Sequence, residues 1–271
     1  MLTFIPTPIG NPLDITLRAM RLFEKAELFL CEDTRETRRL MRLLEERYGM
    51  HIPNASYLSF NEHNGRKRLE EIGDTLGLSA VVYVSDAGMP VISDPGQVLV
   101  AYCREKGIDY DVLPGANAAV TAYAASGFEA GSFLFFGFLP HKGMERSRAL
   151  DEVLNTGYNT ILYEAPHRLI KLLEEIVVTD PERVLFLGKE LTKKYQHYYK
   201  DRAHILLEKF EKIQIRGEWV VIVASKPDER KALYLEDIMA LDLAPKPKAK
   251  LISRVTGESI KQCYERLVKG R

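Results

Sequence analysis

Residues suited to holding a small polar ligand cluster where short apolar runs of the chain end. Four such clusters, at residues 6–10, 32–33, 85–90 and 114–117, are rich in Gly, Pro, Asp and Asn. If the apolar runs are parallel strands, all four clusters lie at one edge of a sheet, where helix N-termini present free N–H groups. The tight turns of any α/β protein would explain one cluster, whereas four together favour a ligand crevice.

Motifs of several other chemistries are absent from the sequence. No G-x-G-x-x-G follows the first apolar run, and no G-x-x-x-x-G-K-S/T, G-x-S-x-G or H-E-x-x-H occurs. The six histidines are scattered, and Cys31, Cys103 and Cys263 form no C-x-x-C pair. Dinucleotide, phosphate-loop, hydrolase and metal sites are therefore not supported, and we expect no bound metal.

The charge balance limits which partners the whole molecule could attract. The chain contains 38 Lys and Arg and 38 Asp and Glu, so its formal net charge is zero. Any basic patch must therefore be local. The first residues contain no basic leader, and no apolar run approaches the roughly 20 residues that cross a bilayer. Since the cysteines show no disulfide pattern, we expect a soluble protein of the reducing cytoplasm.

The elements that must position these clusters alternate between β-type runs and longer helical periods, which predicts an α/β fold built on mainly parallel sheet. Asp14 is a plausible N-cap for the first helix, and a helix over residues 34–47 should turn Leu40, Leu43 and Leu44 inward. Further helices begin near residues 96, 143 and 166. The predicted strands are residues 2–5, 28–31, 80–84, 110–113, 133–138, 159–163, 184–187 and 219–224.

Three regions are predicted along the chain. Residues 1–117 form an N-terminal α/β lobe, residues 118–226 a second α/β lobe, and residues 227–271 a small basic helical segment. From residue 226 to the end there are 11 Lys and Arg against 7 Asp and Glu, a local excess of four positive charges.

Nine short motifs, met in a characteristic order and spacing, carry a resemblance to a known family that covers nearly the whole chain. They read TPIGN with DITLR (7–11, 14–18), CEDTR (31–35), NEHN (61–64), SDAGMP (85–90), ISDPG (92–96), GFLP (137–140), YEAPHR (163–168), KELTK (189–193) and GE (217–218). With them the chain resembles the tetrapyrrole methylase superfamily of class III S-adenosylmethionine methyltransferases. Within it, the chain is similar to the small-subunit ribosomal RNA 2′-O-ribose methyltransferase I family.

The resemblance implies two α/β lobes of tetrapyrrole methylase type, S-adenosylmethionine in the cleft between them, a homodimer and a small helical C-terminal appendage. It assigns the cofactor contacts to Pro8, Val84, Ser85, Asp86, Ala87, Gly88, Met89, Asn117, Ala118, Tyr163, Leu191 and Trp219. The family commonly has Ser or Thr where Asn117 stands and Thr where Met89 stands. At these two positions we therefore expect backbone contacts.

The implied reaction is methylation of the ribose 2′-hydroxyl of a cytidine in the decoding region of small-subunit (16S) ribosomal RNA. Alignment of the reacting atoms is the main task, and a base can assist by removing the hydroxyl proton. The catalytic candidates are Glu62, His63, Glu164, Lys189 and Glu190. Lys189 could stabilise the developing alkoxide, and the proton acceptor stays open among them.

Five residues are predicted to contact the substrate RNA: Arg35, Asn64, His167, Arg168 and Lys193. Arg suits phosphate because its donors form a planar fork, although Arg35 and Arg168 could instead be ion-paired surface residues. Residues 189–202 interleave cations with Tyr195, Tyr198 and Tyr199, which is typical of RNA binding or of an exposed hairpin. The last segment resembles a helix-turn-helix-like appendage that could dock RNA or serve packing alone.

Two rival functions remain beside modification of small-subunit ribosomal RNA or the assembled small subunit. The first is methylation of a tetrapyrrole by an enzyme of the same fold. The second is a non-enzymatic RNA-binding protein that assists assembly, which would bind RNA without transferring a methyl group.

Overall fold

The computed structural model describes residues 1–129, 131–226 and 235–269. The chain divides into two units, Met1–Lys226 and Pro227–Arg271. The predicted start of the C-terminal segment at residue 227 lies outside the described residues.

The described elements follow one another in the alternating order expected of an α/β chain. The strands are β1 (Leu2–Phe4), β2 (Leu28–Cys31), β3 (Ser56–Ser59), β4 (Val81–Val84), β5 (Tyr110–Val112), β6 (Phe133–Phe138), β7 (Asn159–Glu164), β8 (Val184–Lys189), β9 (His197–Arg202) and β10 (Trp219–Val223). The helices are α1 (Leu17–Phe23), α2 (Thr34–Tyr48), α3 (Gly65–Ile72), α4 (Gly96–Lys106), α5 (Ala118–Ser126), α6 (Gly143–Asn155), α7 (Pro166–Thr179), α8 (Ala203–Phe210), α9 (Leu235–Ala240), α10 (Pro245–Thr256) and α11 (Ile260–Lys269).

The first sheet has the strand order β3-β2-β4-β1-β5, and every pairing in it is parallel. The polar clusters that follow β1, β2, β4 and β5 therefore share one edge of this sheet, as predicted. Strand β4 is buried on both faces: Val82 and Val84 pack beneath α1 and α2, and Val81 and Tyr83 beneath α3 and α4. This double burial explains its uninterrupted apolar sequence.

The second sheet has the order β6-β7-β10-β8-β9, and the prediction of mainly parallel pairing is wrong for this half of the chain. Helices α6 and α7 do connect the co-directional strands β6, β7 and β8. However, β10 runs antiparallel between β7 and β8, and β9 forms an antiparallel hairpin with β8. Apolar content predicts that β10 is a buried strand, whereas its direction depends on which distant strands it joins.

Two local predictions also need correction. Asp14 ends a short 3-10 turn, Pro12–Asp14, and the helix after it is capped by Thr16, whose hydroxyl accepts a hydrogen bond from the Ala19 N–H. Helix α2 buries Thr37, Met41 and Leu44 and leaves Leu40 and Leu43 half-buried. Its apolar stripe is therefore turned by one position from the predicted one.

The second unit contains α9, α10 and α11 in its described part. These helices pack around Ile238, Ala249, Ile252 and Cys263. Helix α10 ends at Gly257, whose φ of 75° suits glycine, and Ser259 accepts a hydrogen bond from the Gln262 N–H at the start of α11. Across residues 1–129, 131–226 and 235–269, no helix has the length and apolar character needed to cross a membrane.

Candidate active site

A cavity of about 400 Å³ lies between the carboxyl edge of the first sheet and the second sheet. Its walls are Ile9, Glu32, Ser85, Ala87, Gly88, Met89, Ile92, Ser93, Asp94, Asn117, Ala118, Phe138, Tyr163, Glu164, Ala165, Pro166, Leu191, Glu218, Trp219 and Val220. Nine residues predicted to bind the cofactor belong to this set: Ser85, Ala87, Gly88, Met89, Asn117, Ala118, Tyr163, Leu191 and Trp219. The fold therefore gathers them around one space.

The turns after β1 and β4 are joined by a short antiparallel bridge. Thr7 and Gly88 exchange two backbone hydrogen bonds, each of 3.0 Å. Gly88 has a φ of 82°, and a Cβ at this position would come within 3.1 Å of Ile9 Cγ2. Glycine therefore allows the two turns to approach closely where they form the cavity wall.

The segment that leads into α4 has a strained backbone. Val91 and Ser93 have φ values of 75° and 67°, which side-chain-bearing residues rarely adopt. Asp94 Oδ1 holds the segment by accepting hydrogen bonds from the Gly96 N–H at 2.8 Å and the Tyr83 hydroxyl at 3.1 Å. Among the described residues, Asp94 Oδ2 is buried without a hydrogen-bond partner.

Three helices begin at the cavity. Asp94, Asn117 and Ala165 line it at or just before the first residues of α4, α5 and α7. Asn117 caps α5 by accepting a hydrogen bond from the Val120 N–H at 3.1 Å. The dipoles of these helices make this part of the wall favourable to an anionic group such as a carboxylate.

The opposite wall is aromatic and apolar. Tyr163 on β7 packs edge-to-face against Phe135 and Phe138, with ring centroids 5.1 and 5.5 Å apart. Burial raises the pKa of the Tyr163 hydroxyl, partly opposed by a hydrogen bond with the Ala119 backbone. The buried Trp219 is held by its indole N–H, which donates to the Arg216 carbonyl at 3.1 Å. This wall suits a flat, weakly polar ring.

Glu190 organises the loop that carries Leu191. Its backbone has a φ of 49°, and its carboxylate accepts hydrogen bonds from the Glu218 N–H at 2.8 Å and from Lys193 Nζ at 3.1 Å. Burial alone would raise the pKa of Glu190, but these two partners together lower it. Lys193 also contacts Glu218 at 2.8 Å. Glu190 and Lys193 therefore form an ion pair with each other. The catalytic role of Glu190 and the RNA contact of Lys193 stay predictions.

Glu164 lies in a buried ion-pair network at the start of α7. Glu164 Oε1 accepts a hydrogen bond from the Ala165 N–H at 3.0 Å and forms an ion pair with Arg168 Nε at 3.1 Å. Glu164 Oε2 lies 3.6 Å from Arg146 Nη2. Arg168 also donates to the Leu139 carbonyl at 2.8 Å. In this state Glu164 and Arg168 hold the loop around Phe138 in place. Their predicted roles as base and RNA contact are not tested by this arrangement.

Three predicted cofactor residues adjoin the cavity without lining it: Pro8, Val84 and Asp86. Val84 is the buried last residue of β4. The Asp86 side chain accepts a hydrogen bond from the Asp33 N–H at 3.0 Å, and its own N–H donates to Glu32 Oε2 at 3.2 Å. Asp86 therefore ties the turn after β4 to the turn after β2.

The remaining catalytic candidates do not meet in one place. Glu62 and His63 are exposed in the turn after β3, where Asn61 Oδ1 accepts a hydrogen bond from the His63 N–H. Lys189 ends β8, and its ammonium lies 5.7 Å from the centroid of the Trp219 ring. Lys189 is thus adjacent to a wall residue on the second sheet, whereas Glu62 and His63 belong to the first.

The other predicted RNA contacts lie near the outer rim. Arg35 pairs with Asp33 at 2.6 Å, and 87% of its side chain is exposed. Asn64 closes the turn after β3, with Oδ1 accepting from the Asn61 N–H and Nδ2 donating to Ser59 Oγ. His167 is exposed in the first turn of α7.

Residues 189–202 form the β8–β9 hairpin, which was the structural alternative to an RNA-binding stretch. Lys200 donates to the carbonyls of Ser126 and Gly127 at 2.9 and 3.2 Å, and Tyr199 packs against Phe210 and Trp219. Tyr195 and Tyr198 remain exposed. Part of this stretch therefore serves packing, and its RNA role stays a prediction.

Sequence reasoning did not assign ten of the wall residues. They are Ile9, Glu32, Ile92, Ser93, Asp94, Phe138, Ala165, Pro166, Glu218 and Val220. Most of these residues belong to the motifs quoted above. Their position in the same strand-end turns was the sequence feature that could have identified them as wall residues. Among the described residues, no cluster of His, Cys, Asp and Glu could hold a metal ion.

Glu32 and Asp94 are the half-buried carboxylates of the first-sheet wall. Burial raises the pKa of Asp94, partly opposed by its hydrogen bonds from Gly96 and Tyr83. Burial also raises the pKa of Glu32, and the nearby charges of Asp86, Asp94 and Glu62 raise it further. This wall therefore favours positive charge in whatever occupies the cavity.

Comparisons with known proteins agree with this architecture. A family model described as Tetrapyrrole (Corrin/Porphyrin) Methylases matches residues 1–206. A protein of Campylobacter fetus subsp. fetus named ribosomal RNA small subunit methyltransferase I is 43% identical, over 99% of this chain and 100% of the relative. A protein of the same name from Helicobacter pylori strain 26695 is 40% identical, over 97% of this chain and 96% of the relative.

The fold also resembles that of a solved structure. Uroporphyrin-III C-methyl transferase from Thermus thermophilus, complexed with S-adenyl homocysteine, superposes with a TM-score of 0.56 at 15% identity. The match covers 82% of this chain and 96% of that one. The chain is therefore a methyltransferase of the tetrapyrrole methylase family and belongs, within it, to the ribosomal RNA small subunit methyltransferase I family.

Proposed function

We propose that the protein uses S-adenosylmethionine to methylate the ribose 2′-hydroxyl of a cytidine in the decoding region of small-subunit (16S) ribosomal RNA. The observation that supports small-subunit ribosomal RNA as the substrate is the shared name of relatives at 43% and 40% identity over nearly the whole chain. The 2′-hydroxyl of a cytidine in the decoding region is what the family resemblance implies. Ribosomal RNA as substrate puts the activity in the cytoplasm. The proposal includes a homodimer, as the family resemblance implies.

The cavity fits S-adenosylmethionine in size and chemistry. Its volume of about 400 Å³ lies within the range of small-molecule sites. The helix N-termini at Asn117 and Ala165 suit the carboxylate, and the wall of Tyr163 and Trp219 suits the adenine. When bound, S-adenosylmethionine supplies an already activated methyl group.

Because the methyl group is activated, the residues of the chain mainly have to orient the cofactor and the ribose and exclude water. Correct orientation can contribute about 7–11 kcal/mol. In this proposal the turns that carry Ser85–Met89 and Leu191 hold the cofactor. Lys189 stabilises negative charge on the ribose oxygen as its proton leaves, and Glu62, His63, Glu164 and Glu190 remain the candidate proton acceptors.

The proposed reaction is tested by product analysis. The protein is incubated with S-adenosylmethionine labelled on the methyl group and, separately, with 16S ribosomal RNA, small ribosomal subunits and a tetrapyrrole. Label recovered as 2′-O-methylcytidine after digestion of the RNA is the expected result. Label on the tetrapyrrole alone would support the rival methyltransferase, and RNA binding without any transfer would support an assembly protein.

Lys189→Ala is expected to lower the single-turnover methyl-transfer rate by about 10²–10³-fold, because it removes a charge from beside the developing alkoxide. The affinity for S-adenosylmethionine, measured by calorimetry, should change little. Lys212→Ala, which removes an exposed ammonium after α8, is the matched control. A parallel loss of rate and cofactor affinity would contradict the assigned role.

The outer face of α2 is the proposed track for the RNA backbone. Helix α2 starts immediately after the motif that contains Glu32, and Arg38, Arg39 and Arg42 are exposed along its first half. The Arg38 guanidinium lies 4.1 Å from the Tyr57 ring centroid, which orients it on the surface. Three exposed cations within two helical turns suit a run of phosphates.

Replacing Arg38 and Arg42 by Gln should weaken RNA binding and reduce the slope of log affinity against log salt by about 1.4, because two phosphate contacts are lost. Lys25 and Arg104, at the opposite edge of the first sheet, provide the control with the same loss of charge. Equal slopes for the two double variants would remove α2 from the interface.

The same titration on a chain ending at Ala224 tests whether the C-terminal unit docks RNA.

A further inference from the structure

The charges of the cavity wall are all of one sign. Four carboxylates line it, Glu32, Asp94, Glu164 and Glu218, and within the described residues no Lys, Arg or His does. Two of the four are balanced from outside the wall: Glu164 by Arg146 and Arg168, and Glu218 by Lys193 at 2.8 Å. The other two are on the first-sheet side.

Glu32 and Asp94 form no ion pair within the described part of the chain. Glu32 Oε2 accepts a hydrogen bond from the Asp86 N–H, and Asp94 Oδ1 accepts from Gly96 and Tyr83. The negative charges of Asp86, Asp94 and Glu62 act on Glu32 and raise its pKa. Asp94 Oδ2 is buried with no partner at all among the described residues. These neighbours add to the negative potential.

The unpaired carboxylates of Glu32 and Asp94 are unfavourable in two ways, for the protein itself and for substrate binding. Desolvation disfavours their charged form, as the raised pKa of Glu32 and of Asp94 indicates. They also repel a polyanionic substrate that has to approach the same cavity. A positively charged ligand in the cavity that Glu32 and Asp94 line would remove both penalties.

The methyl donor changes its charge in the reaction. The carbon–sulfur bond breaks with its electron pair staying on sulfur, the methyl group bonds to the ribose oxygen, and the hydroxyl proton is released. S-adenosylmethionine carries a sulfonium, an ammonium and a carboxylate, for a net charge of about +1 at neutral pH. The product, S-adenosylhomocysteine, keeps the ammonium and the carboxylate and has lost the sulfonium charge.

We propose that Glu32 and Asp94 are specificity-determining residues that make the cavity prefer the sulfonium form of the cofactor over its neutral product. This rests on the proposed function, because it requires the cofactor to occupy this cavity. The same two carboxylates attract the donor before transfer and lose that attraction once the charge has gone, so they favour exchange of product for fresh donor.

Calorimetric titration of the full-length protein tests the proposal with three ligands. They are S-adenosylmethionine, S-adenosylhomocysteine and sinefungin, whose protonated amine stands in place of the sulfonium. Glu32→Gln and Asp94→Asn should each weaken binding of the two cationic ligands about tenfold, while binding of S-adenosylhomocysteine stays within about twofold of wild type. Glu45→Gln, on the exposed face of α2, is the matched control and should alter none of the three affinities.

The melting temperature of the ligand-free variants gives a second measurement. Asn retains an oxygen to accept from Gly96 and Tyr83, so Asp94→Asn should melt no lower than wild type, and loss of affinity cannot then be ascribed to unfolding. Equal weakening of all three ligands, or no weakening of any, would overturn the proposal. If wild-type protein binds none of the three ligands, the proposed function itself fails.

Discussion

Arg146→Met is expected to lower the free energy of unfolding by about 3–5 kcal/mol, the loss typical of breaking a buried charge network from one side. Only 2% of the Arg146 side chain is exposed, although it carries a full charge. It donates to both carboxylate oxygens of Glu175, at 3.0 and 2.8 Å, and to the Pro140 carbonyl at 3.2 Å. Methionine would fill much of the space but would leave the Glu164 carboxylate buried with Arg168 alone.

Urea unfolding of Arg146→Met and of Arg148→Met measures this effect on the same helix. Arg148 is exposed on α6, so its replacement should leave the unfolding free energy near that of wild type. The double variant Arg146→Met/Glu164→Gln should recover part of the loss, because it removes the carboxylate left behind. Equal midpoints for the two single variants would mean that the buried network does not stabilise the fold.

Gly10→Ala is expected to reduce the affinity for S-adenosylmethionine by at least about tenfold and to lower the melting temperature. A Cβ on Gly10 would lie 2.7 Å from Thr192 Oγ1 and 2.8 Å from the Leu191 carbonyl oxygen, both well inside contact distance. The carbonyl belongs to the backbone and cannot rotate away, so overpacking of about 1–3 kcal/mol must be relieved by moving a turn. Since Ile9 and Leu191 both line the cavity, either movement deforms it.

Gly77→Ala is the control for the loss of glycine itself. Gly77 is exposed, and a Cβ there would have its nearest neighbour, Ile108 Cγ2, at 4.0 Å. Calorimetry and thermal melting of the two variants should separate them clearly. A wild-type affinity of Gly10→Ala for S-adenosylmethionine would contradict this prediction. It would mean that the turns carrying Gly10 and Leu191 move apart without deforming the cavity.

Four of the five strands of the first sheet could be predicted from the sequence, whereas β3, which is not an apolar run, was missed. Leu28–Cys31 coincides with the predicted run, because a buried strand needs continuous apolar residues bounded by turn formers. In the second sheet, Phe133–Phe138 also coincides with a predicted run. The prediction that Asp14 caps the first helix was wrong because Asp14 and Thr16 are both residues that favour the N-cap position. The 3-10 turn Pro12–Asp14 includes Asp14, so the helix is capped by Thr16. Local chemistry alone does not separate two caps two residues apart.

The candidate site was predictable only in part. Six of the nine predicted cofactor residues that line the cavity follow β4 or β5, because the parallel strands of the first sheet bring their carboxyl ends to one edge. The other three, Tyr163, Leu191 and Trp219, come from the second sheet, where strand direction did not predict their meeting. Glu32 and Asp94 were missed because an acidic residue in a turn looks the same whether it faces solvent or a wall. Glu164 was predicted as a catalytic residue and Arg168 as an RNA contact, and nothing in the sequence indicates that Arg146, one helix earlier, pairs with Glu164.

By itself the sequence determined the α/β class, the family, the position of most strands and the shared edge of the polar turns, since these follow from local periodicity and motif order. Only the tertiary structure decided the antiparallel insertion of β10, the burial of Arg146 and the lack of any cation beside Glu32 and Asp94 in the described chain. Strand direction and charge compensation depend on residues far apart in the chain, and their distances exist only after the two sheets have packed.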